Sequence, residues 1–344
     1  MIGLVKTQKG KGHLELRDVP VPEPGEKQVR IKVAACGICG TDVHVRDDAF
    51  PYWPPVVMGH EFTGVVDALG PGVSLVEAGE RVVGEPHTQA CGHCVLCRTG
   101  NPQICVTKRS PGWGIDGAFT EYLVMPEFLL HKLPDSVDDV SGAIVEPTAN
   151  TVHDIIERAT IEAGDFVVVV GPGPIGLLAA LTARAGGARD VMVIGAGVDE
   201  ALRLPKAREM GFTHVVNAQA EDAQAKVMEL TDGKGADLVV ECSGSRQGIA
   251  STVGMVRKKG RICVIGLPEG DMVEFPYKQA AFKVCDIAFC LSTSHTSWNK
   301  TIHLMATGQL PAAQVITHQF PLAKWEDAFA AIDNREALKV VLVP

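Results

Sequence analysis

The run CGHCVLCRTGNPQIC, residues 91–105, holds four of the chain's ten cysteines. Cys91, Cys94 and Cys97 follow one another at intervals of three, and Cys105 comes eight positions later. A thioredoxin-type redox pair needs only one CxxC, and disulfides belong to oxidising compartments. Successive CxxC steps bring several thiolates to one point, the tetrahedral sulfur set that zinc accepts. Gly92, Gly100 and Pro102 suit a tight irregular lobe rather than a helix or strand. The expectation is a closed structural zinc site. Its metal, worth roughly 10 to 16 kcal/mol apparent, would order the lobe in place of a local core. A clamp of this kind is scaffolding, so any reaction must be carried elsewhere.

A second set of ligand-type residues is scattered. GICGTDVH carries Cys39, Thr41, Asp42 and His44; GHE carries His60 and Glu61; VEPTANTVH carries Glu146. Taken singly, Cys39 reads as a core thiol, His60 as a satisfied turn histidine and Glu146 as a surface acid. A third signal is GPGPIG, residues 171–176, which follows four consecutive valines. After a strand and before an apolar helix, Gly171, Gly173 and Gly176 gain a mechanism: a tight turn, close backbone approach to a pyrophosphate, and a helix N-terminus aimed at the negative charge. Pro174 and Ile175 open the helix whose N-terminus faces the negative charge. The acid expected after the second strand is displaced: VMVI is followed by Gly195, Ala196 and Gly197, and acid appears only at Asp199 and Glu200. Asp199 turned to the ribose hydroxyls favours NAD, whereas a 2′-phosphate beside Arg203 favours NADP; a plain helix N-cap is the other reading of Asp199. NAD is the preferred reading. Gly266, which closes the block RICVIG, joins the candidate cofactor residues.

The elements that must position these residues are legible as patterns. Between 164 and 291, the blocks VVVV, VMVI, HVVN, DLVVEC, RICVIG and DIAFCL alternate with helix-like stretches. Strands buried on both faces and separated by helices predict a doubly wound parallel sheet. Residues 1–150, with turns such as PVPEPGE and LGPGVS and short Val-rich strands, predict a mostly β domain holding the scattered set. The tail from 292 to 344 is expected to rejoin it, with a helix starting near PLAKWEDAF. The chemistry is then expected in the cleft between domains, a usual place for ligand pockets. The uncharged stretch 166–183 is long enough to raise a membrane span, but its prolines and glycines read better as strand, turn and buried helix.

At 344 residues the chain exceeds the size of one growing core. A net charge of −9 gives no electrostatic footing for nucleic acid or anionic membrane, which points to a small-molecule partner. The N-terminus turns polar after five residues, without a signal peptide's apolar run, so a cytoplasmic location is expected.

In this order, and ahead of a dinucleotide fold, the motifs resemble the zinc-dependent medium-chain dehydrogenases. The glutamate of the EP motif, Glu146, makes them most similar to the polyol (sorbitol) and threonine dehydrogenase branch. The resemblance covers nearly the whole chain, from GICGTDVH to ITHQFPL. It implies a GroES-like, mostly β catalytic domain at 1–150, a Rossmann domain at 151–291 and a return to the catalytic domain over 292–344. It implies two zinc ions per chain: one in the lobe, and a catalytic one on Cys39, His60 and Glu146, with Glu61 as an exchangeable or outer ligand. Asp42 matches a carboxylate that steadies the zinc-binding histidine. Cys36, which forms a CxxC with Cys39, is expected to be strand packing. Homodimers or homotetramers are a family expectation.

Zinc suits alcohol oxidation by magnitude. It takes bound water from a pKa of 15.7 to about 7, roughly 12 kcal/mol of bias toward the anion at 1.36 kcal/mol per unit. General-base help alone supplies about 10²- to 10⁴-fold, or roughly 3 to 5 kcal/mol. The resemblance implies that the Thr41 hydroxyl takes the proton and passes it toward the nicotinamide ribose and His44, then to solvent. His87, in GEPHTQACG, matches a position that lines the substrate pocket; a surface loop histidine is the other reading. LSTSHTSWNK offers hydroxyls near the nicotinamide end, or simply a capped helix start. A polyol or sugar alcohol is the expected substrate and threonine the alternative. A zinc-finger regulator lacks a basic face and leaves Gly171–Gly176 unexplained. A silent zinc- and nucleotide-binding relative would lack one of Cys39, His60 or Glu146.

Overall fold

The computed structural model describes all 344 residues and divides into two compact units. The first comprises Met1–Glu146, Thr293–Thr307 and Ile316–Pro344. Its early elements are β1 (Ile2–Lys6), β2 (Leu14–Asp18), β3 (Gln28–Gly37), α1 (Gly40–Arg46), β4 (Val56–Val57), β5 (Glu61–Leu69) and β6 (Arg81–Gly84). The lobe helix α2 (Val95–Arg98), β7 (Tyr122–Pro126), β8 (Leu130–Lys132), α3 (Asp139–Gly142) and α4 (Val145–Val152) follow. In β3, Val29, Ile31, Val33 and Ala35 are buried while Arg30 and Lys32 turn outward, the period of two that one covered sheet face requires. This register places Gly37 opposite Glu61 and so brings the chain just before Cys39 beside the start of β5.

The second unit, Pro147–Ser292 with Gly308–Val315, is built on β9 (Phe166–Val170), α5 (Pro174–Ala185), β10 (Asp190–Gly195), α6 (Arg203–Glu209) and β11 (His214–Asn217). It continues with α7 (Ala223–Leu230), β12 (Ala236–Glu241), α8 (Arg246–Met255), β13 (Val256–Val264), α9 (Tyr277–Lys283) and β14 (Asp286–Phe289). Its six strands pair in the order β11-β10-β9-β12-β13-β14, all parallel. This is the doubly wound order, reversing direction between β9 and β12, where such sheets bind ligands. All five residues of central β9 are buried. Each fully buried valine is worth about 1.5–3 kcal/mol over an exposed one, which is why the strand tolerates no polar interruption. The stretch 166–183 is thus strand, glycine turn and helix, and no helix of the chain is long and apolar enough to cross a membrane.

The tail carries α10 (His295–Ala306), β15 (Ile316–Pro321), α11 (Trp325–Asp333) and β16 (Lys339–Val343). β16 pairs with β3, so the sheet of the first unit runs β15-β16-β3-β5-β6-β8, with β7 also on β3. The tail's return is interrupted: Gly308–Val315 packs with the second unit, a correction to the unbroken segment expected from 292. The boundary after Glu146 also falls inside α4 rather than at 150.

Candidate active site

Cys39, His60 and Glu61 bring a sulfur, a ring nitrogen and a carboxylate oxygen within 4.8 Å of one another. Local structure explains how. Gly59 adopts φ +91° and a side chain there would strike Phe119, so only glycine turns the chain into His60. A Cβ at Gly37 would lie 2.3 Å from Glu61 Oε2, so the glycine of β3 leaves room for that carboxylate. Asp42, on the first turn of α1, accepts a hydrogen bond from Cys39 N at 2.8 Å through Oδ2. Its Oδ1 faces His60 Nδ1 at 3.6 Å, and Trp113 packs edge-on to the His60 ring. Burial pulls the His60 pKa down, but Asp42 and Cys39 outweigh it and hold it well above its ordinary range. The negative surroundings that favour a proton also favour a dication. Glu61 Oε1 is buried without a hydrogen-bond partner. A mixed S, N, O donor set with an orphaned carboxylate oxygen fits zinc.

Glu146 is buried on α4 and lies outside that group of three. What links it to them is Lys339, a residue the sequence reading passed over. Lys339 is almost wholly buried on β16, donates to Ile38 O at 2.9 Å and makes an ion pair with Glu61. Burial pulls its pKa down, yet Glu61, Cys39 and Glu146 together hold it above its ordinary value. Glu61 is thus paired with a cation through Oε2, while its Oε1 has no hydrogen-bond partner. Thr41 and His44 lie three residues apart on α1, one face of a helix; Thr41 is half-buried and His44 exposed. His87 is buried, which excludes a surface loop histidine, and its Nε2 lies 3.6 Å from Glu85 Oε2. Cys36 is fully buried, with its thiol pushed well up by desolvation. Of the hydroxyls in LSTSHTSWNK, Ser294 caps α10 by accepting from Ser297 N at 3.0 Å.

In the lobe, Cys91, Cys94, Cys97 and Cys105 form one group, with Cys91 to Cys97 at 3.9 Å and Cys94 to Cys105 at 4.0 Å between sulfurs. Zinc–sulfur bonds of 2.3 Å in a tetrahedron imply about 3.8 Å. The sulfurs also accept backbone N–H bonds: Cys91 N to Cys105 and Cys94 N to Cys91, at 3.4 and 3.3 Å. Cys91 N helps pull Cys105 down to about 5, while desolvation and the neighbouring Cys94 push Cys97 up to about 12. Four sulfurs gathered at this spacing fit a structural zinc.

In the second unit, Gly171 has φ +98° and its Cβ would meet Ser243 N at 2.7 Å. A Cβ at Gly176 would lie 1.8 Å from Gly171 O, while one at Gly173 would meet nothing. Turn, packing and open approach fall to the three glycines in the roles the motif demands. Pro174 is the first residue of α5, with Ile175 behind it. A Cβ at Gly266 would strike Glu241, a fully buried carboxylate that accepts from Ser243 N at 2.9 Å; sequence reading missed Glu241. Asp199 is not an N-cap. It ends a short 3₁₀ turn, accepts from Ala196 N at 2.9 Å and pairs with Arg203 at 3.1 Å.

Comparison with known proteins agrees with this geometry. Residues 25–135 match the alcohol dehydrogenase GroES-like domain and residues 174–307 the zinc-binding dehydrogenase domain. The chain is 38% identical over 344 residues to a sorbitol dehydrogenase of Halalkalibacterium halodurans, covering 100% of this chain and 99% of that one. The chain belongs to the zinc-dependent alcohol dehydrogenases. Another member of this family, an L-threonine 3-dehydrogenase of Bacillus subtilis, is 37% identical over 336 residues, 96% of this chain and 94% of the relative. A zinc-binding dehydrogenase of Sinorhizobium meliloti 1021, solved with NADP, superposes with a TM-score of 0.89 at 31% identity, over 100% and 99% of the two chains. This dehydrogenase thus falls in the polyol and threonine branch of its family.

Proposed function

We propose that the enzyme oxidises a secondary alcohol of a polyol or sugar alcohol, passing hydride to NAD. The observation that carries the reading is the half-buried Cys39 beside the buried His60 and Glu61, with Lys339 and Glu146 around them, in a chain that also builds a complete dinucleotide loop. Cys39, His60 and Glu146 would hold the catalytic zinc and the four lobe cysteines a structural one. Bound zinc supplies a Lewis acid that makes a substrate hydroxyl acidic. Thr41 Oγ1 accepts the hydroxyl proton and relays it toward His44, whose exposed ring exchanges it with water. Asp42 orients His60. Lys339 anchors Glu61 and holds one positive charge beside the anionic donors. His87 lines the substrate pocket. In the second unit, Gly173 and the first turn of α5 receive the pyrophosphate. Asp199 neutralises Arg203 and leaves no unpaired cation there for a 2′-phosphate, which favours NAD.

A homo-oligomer is part of this reading. β14 ends the parallel sheet with Phe289 74% exposed and Ile287 and Leu291 also open, beside exposed Tyr277 and Phe282. An unpaired apolar edge strand is a template for pairing with a second copy. A cytoplasmic location belongs to the same reading, and none of the ten cysteines is joined in a disulfide.

NAD reduction assayed against a panel of polyols, L-threonine and simple alcohols tests the function. Turnover led by a polyol supports it. Turnover on threonine alone, or on none of the panel, rejects the substrate class.

A further inference from the structure

A third group of ligand-type side chains lies in the first unit, apart from Cys39 and from the lobe. Pairing of β6 with β8 sets Val83 opposite His131, and Glu85, two residues on, shares the face of His131. His295 opens α10. The Glu85 carboxylate, almost wholly buried, presents Oε1 to His131 Nε2 at 2.9 Å and to His295 Nδ1 at 2.8 Å. The ligating atoms of Glu85, His131 and His295 all lie within 4.8 Å of one another.

Three further features make this a built site rather than a chance meeting of polar groups. Asn299 Oδ1 lies 3.1 Å from His131 Nδ1, so a polar partner on the far side of the ring holds Nε2 turned toward the Glu85 carboxylate. The His131 ring is also held: it stacks on Trp298 at 5.4 Å with planes 9° apart and lies 4.7 Å from the His295 ring. Beside it, the buried His87 ring faces the other Glu85 oxygen and keeps Nδ1 without a partner. His295 is 62% exposed in its side chain, giving an ion a way in from solvent.

We propose that Glu85, His131 and His295 form a third metal site, for a divalent ion of the zinc class, with His87 adjoining as a further imidazole. Two imidazoles and one carboxylate are a zinc donor set, and such sets also take cobalt and nickel. Bound there, the ion cross-links the start of α10 to β6 and β8. The three ligands are none of the residues assigned to the catalytic zinc, and only the adjoining His87 is shared with the proposed substrate pocket.

The test uses the full chain saturated with zinc alone, then dialysed. Anomalous diffraction at the zinc edge is expected to show a peak bounded by Glu85, His131 and His295, and metal content to fall by one equivalent in His295→Ala and in Glu85→Gln. Because His295 is exposed, its truncation leaves the core intact, and retained NADH binding checks the fold. Absence of that peak, or unchanged metal content in both variants, overturns the proposal. A missing peak at Cys39 and His60 in the same map counts against the catalytic assignment only, so the two failures are separable.

Discussion

Lys339→Met removes a buried cation while keeping the length of an apolar stem within the strand sequence KVVLV. Lys339 is 3% exposed and Glu61 0%, so the variant leaves a carboxylate with no solvent to compensate it. Breaking a buried ion pair from one side costs about 3–5 kcal/mol, a large share of the 5–15 kcal/mol that typically holds a native protein together. Glu61→Gln removes the ammonium's ion-pair partner, leaving it only Cys39 and Glu146, and costs a similar amount. The double variant removes both charges and is expected to recover most of the loss, giving a coupling of several kcal/mol rather than the sum of the singles. All four tryptophans, Trp53, Trp113, Trp298 and Trp325, lie in the first unit, so urea unfolding followed by intrinsic fluorescence reports on that unit alone. pH gives an independent check. The folded pKa of Lys339 stands above its ordinary 10.5, so the stability it contributes is complete below about that pH and is lost as pH rises through the folded value. Lys339→Met should lack this alkaline loss. A single variant within about 0.5 kcal/mol of the parent, the range of ordinary surface substitutions, would refute the reasoning, as would strict additivity in the double.

Glu146→Ala should abolish turnover while the lobe zinc and the fold, read by metal content and circular dichroism, stay intact; unchanged turnover removes Glu146 from the site. Gly176→Val forces a side chain into Gly171 O and should weaken NADH binding, measured by fluorescence, at least about tenfold, or about 1.4 kcal/mol; unchanged affinity places the pyrophosphate elsewhere. Asp199→Asn frees the Arg203 guanidinium and should shift the ratio of NAD to NADP turnover toward NADP, and an unaltered ratio means this pair does not read the ribose.

What the sequence made legible follows from how local each signal is. The six parallel strands announced themselves because burial on both faces forces unbroken apolar runs such as Phe166–Val170. The lobe was readable because its four thiols sit close together in the chain, and the glycine loop because Gly171 and Gly176 meet within one turn. Lys339 was hidden: its partner Glu61 is 278 residues away, and a lysine opening an apolar strand looks like an edge residue. Glu85, His131 and His295 are joined only by the pairing of β6 with β8 and the return of α10, which no local pattern encodes. Asp199 stayed open because a cap and a ribose ligand look alike in sequence. It closes a 3₁₀ turn of three residues, with one oxygen on Ala196 N and the other on Arg203. The detour of Gly308–Val315 into the second unit was illegible because its only regular element is the 3₁₀ turn Ala312–Val315, too short to show a periodicity.

The assignment of a catalytic zinc to the Cys39 and His60 group is tested most directly by Cys39→Ser, with metal content and polyol-dependent NAD reduction measured on the same preparation. Loss of one zinc equivalent relative to the parent, together with loss of turnover and with NADH binding retained, is the expected result. Full turnover in a variant that has lost that equivalent, or unchanged metal content, would contradict it.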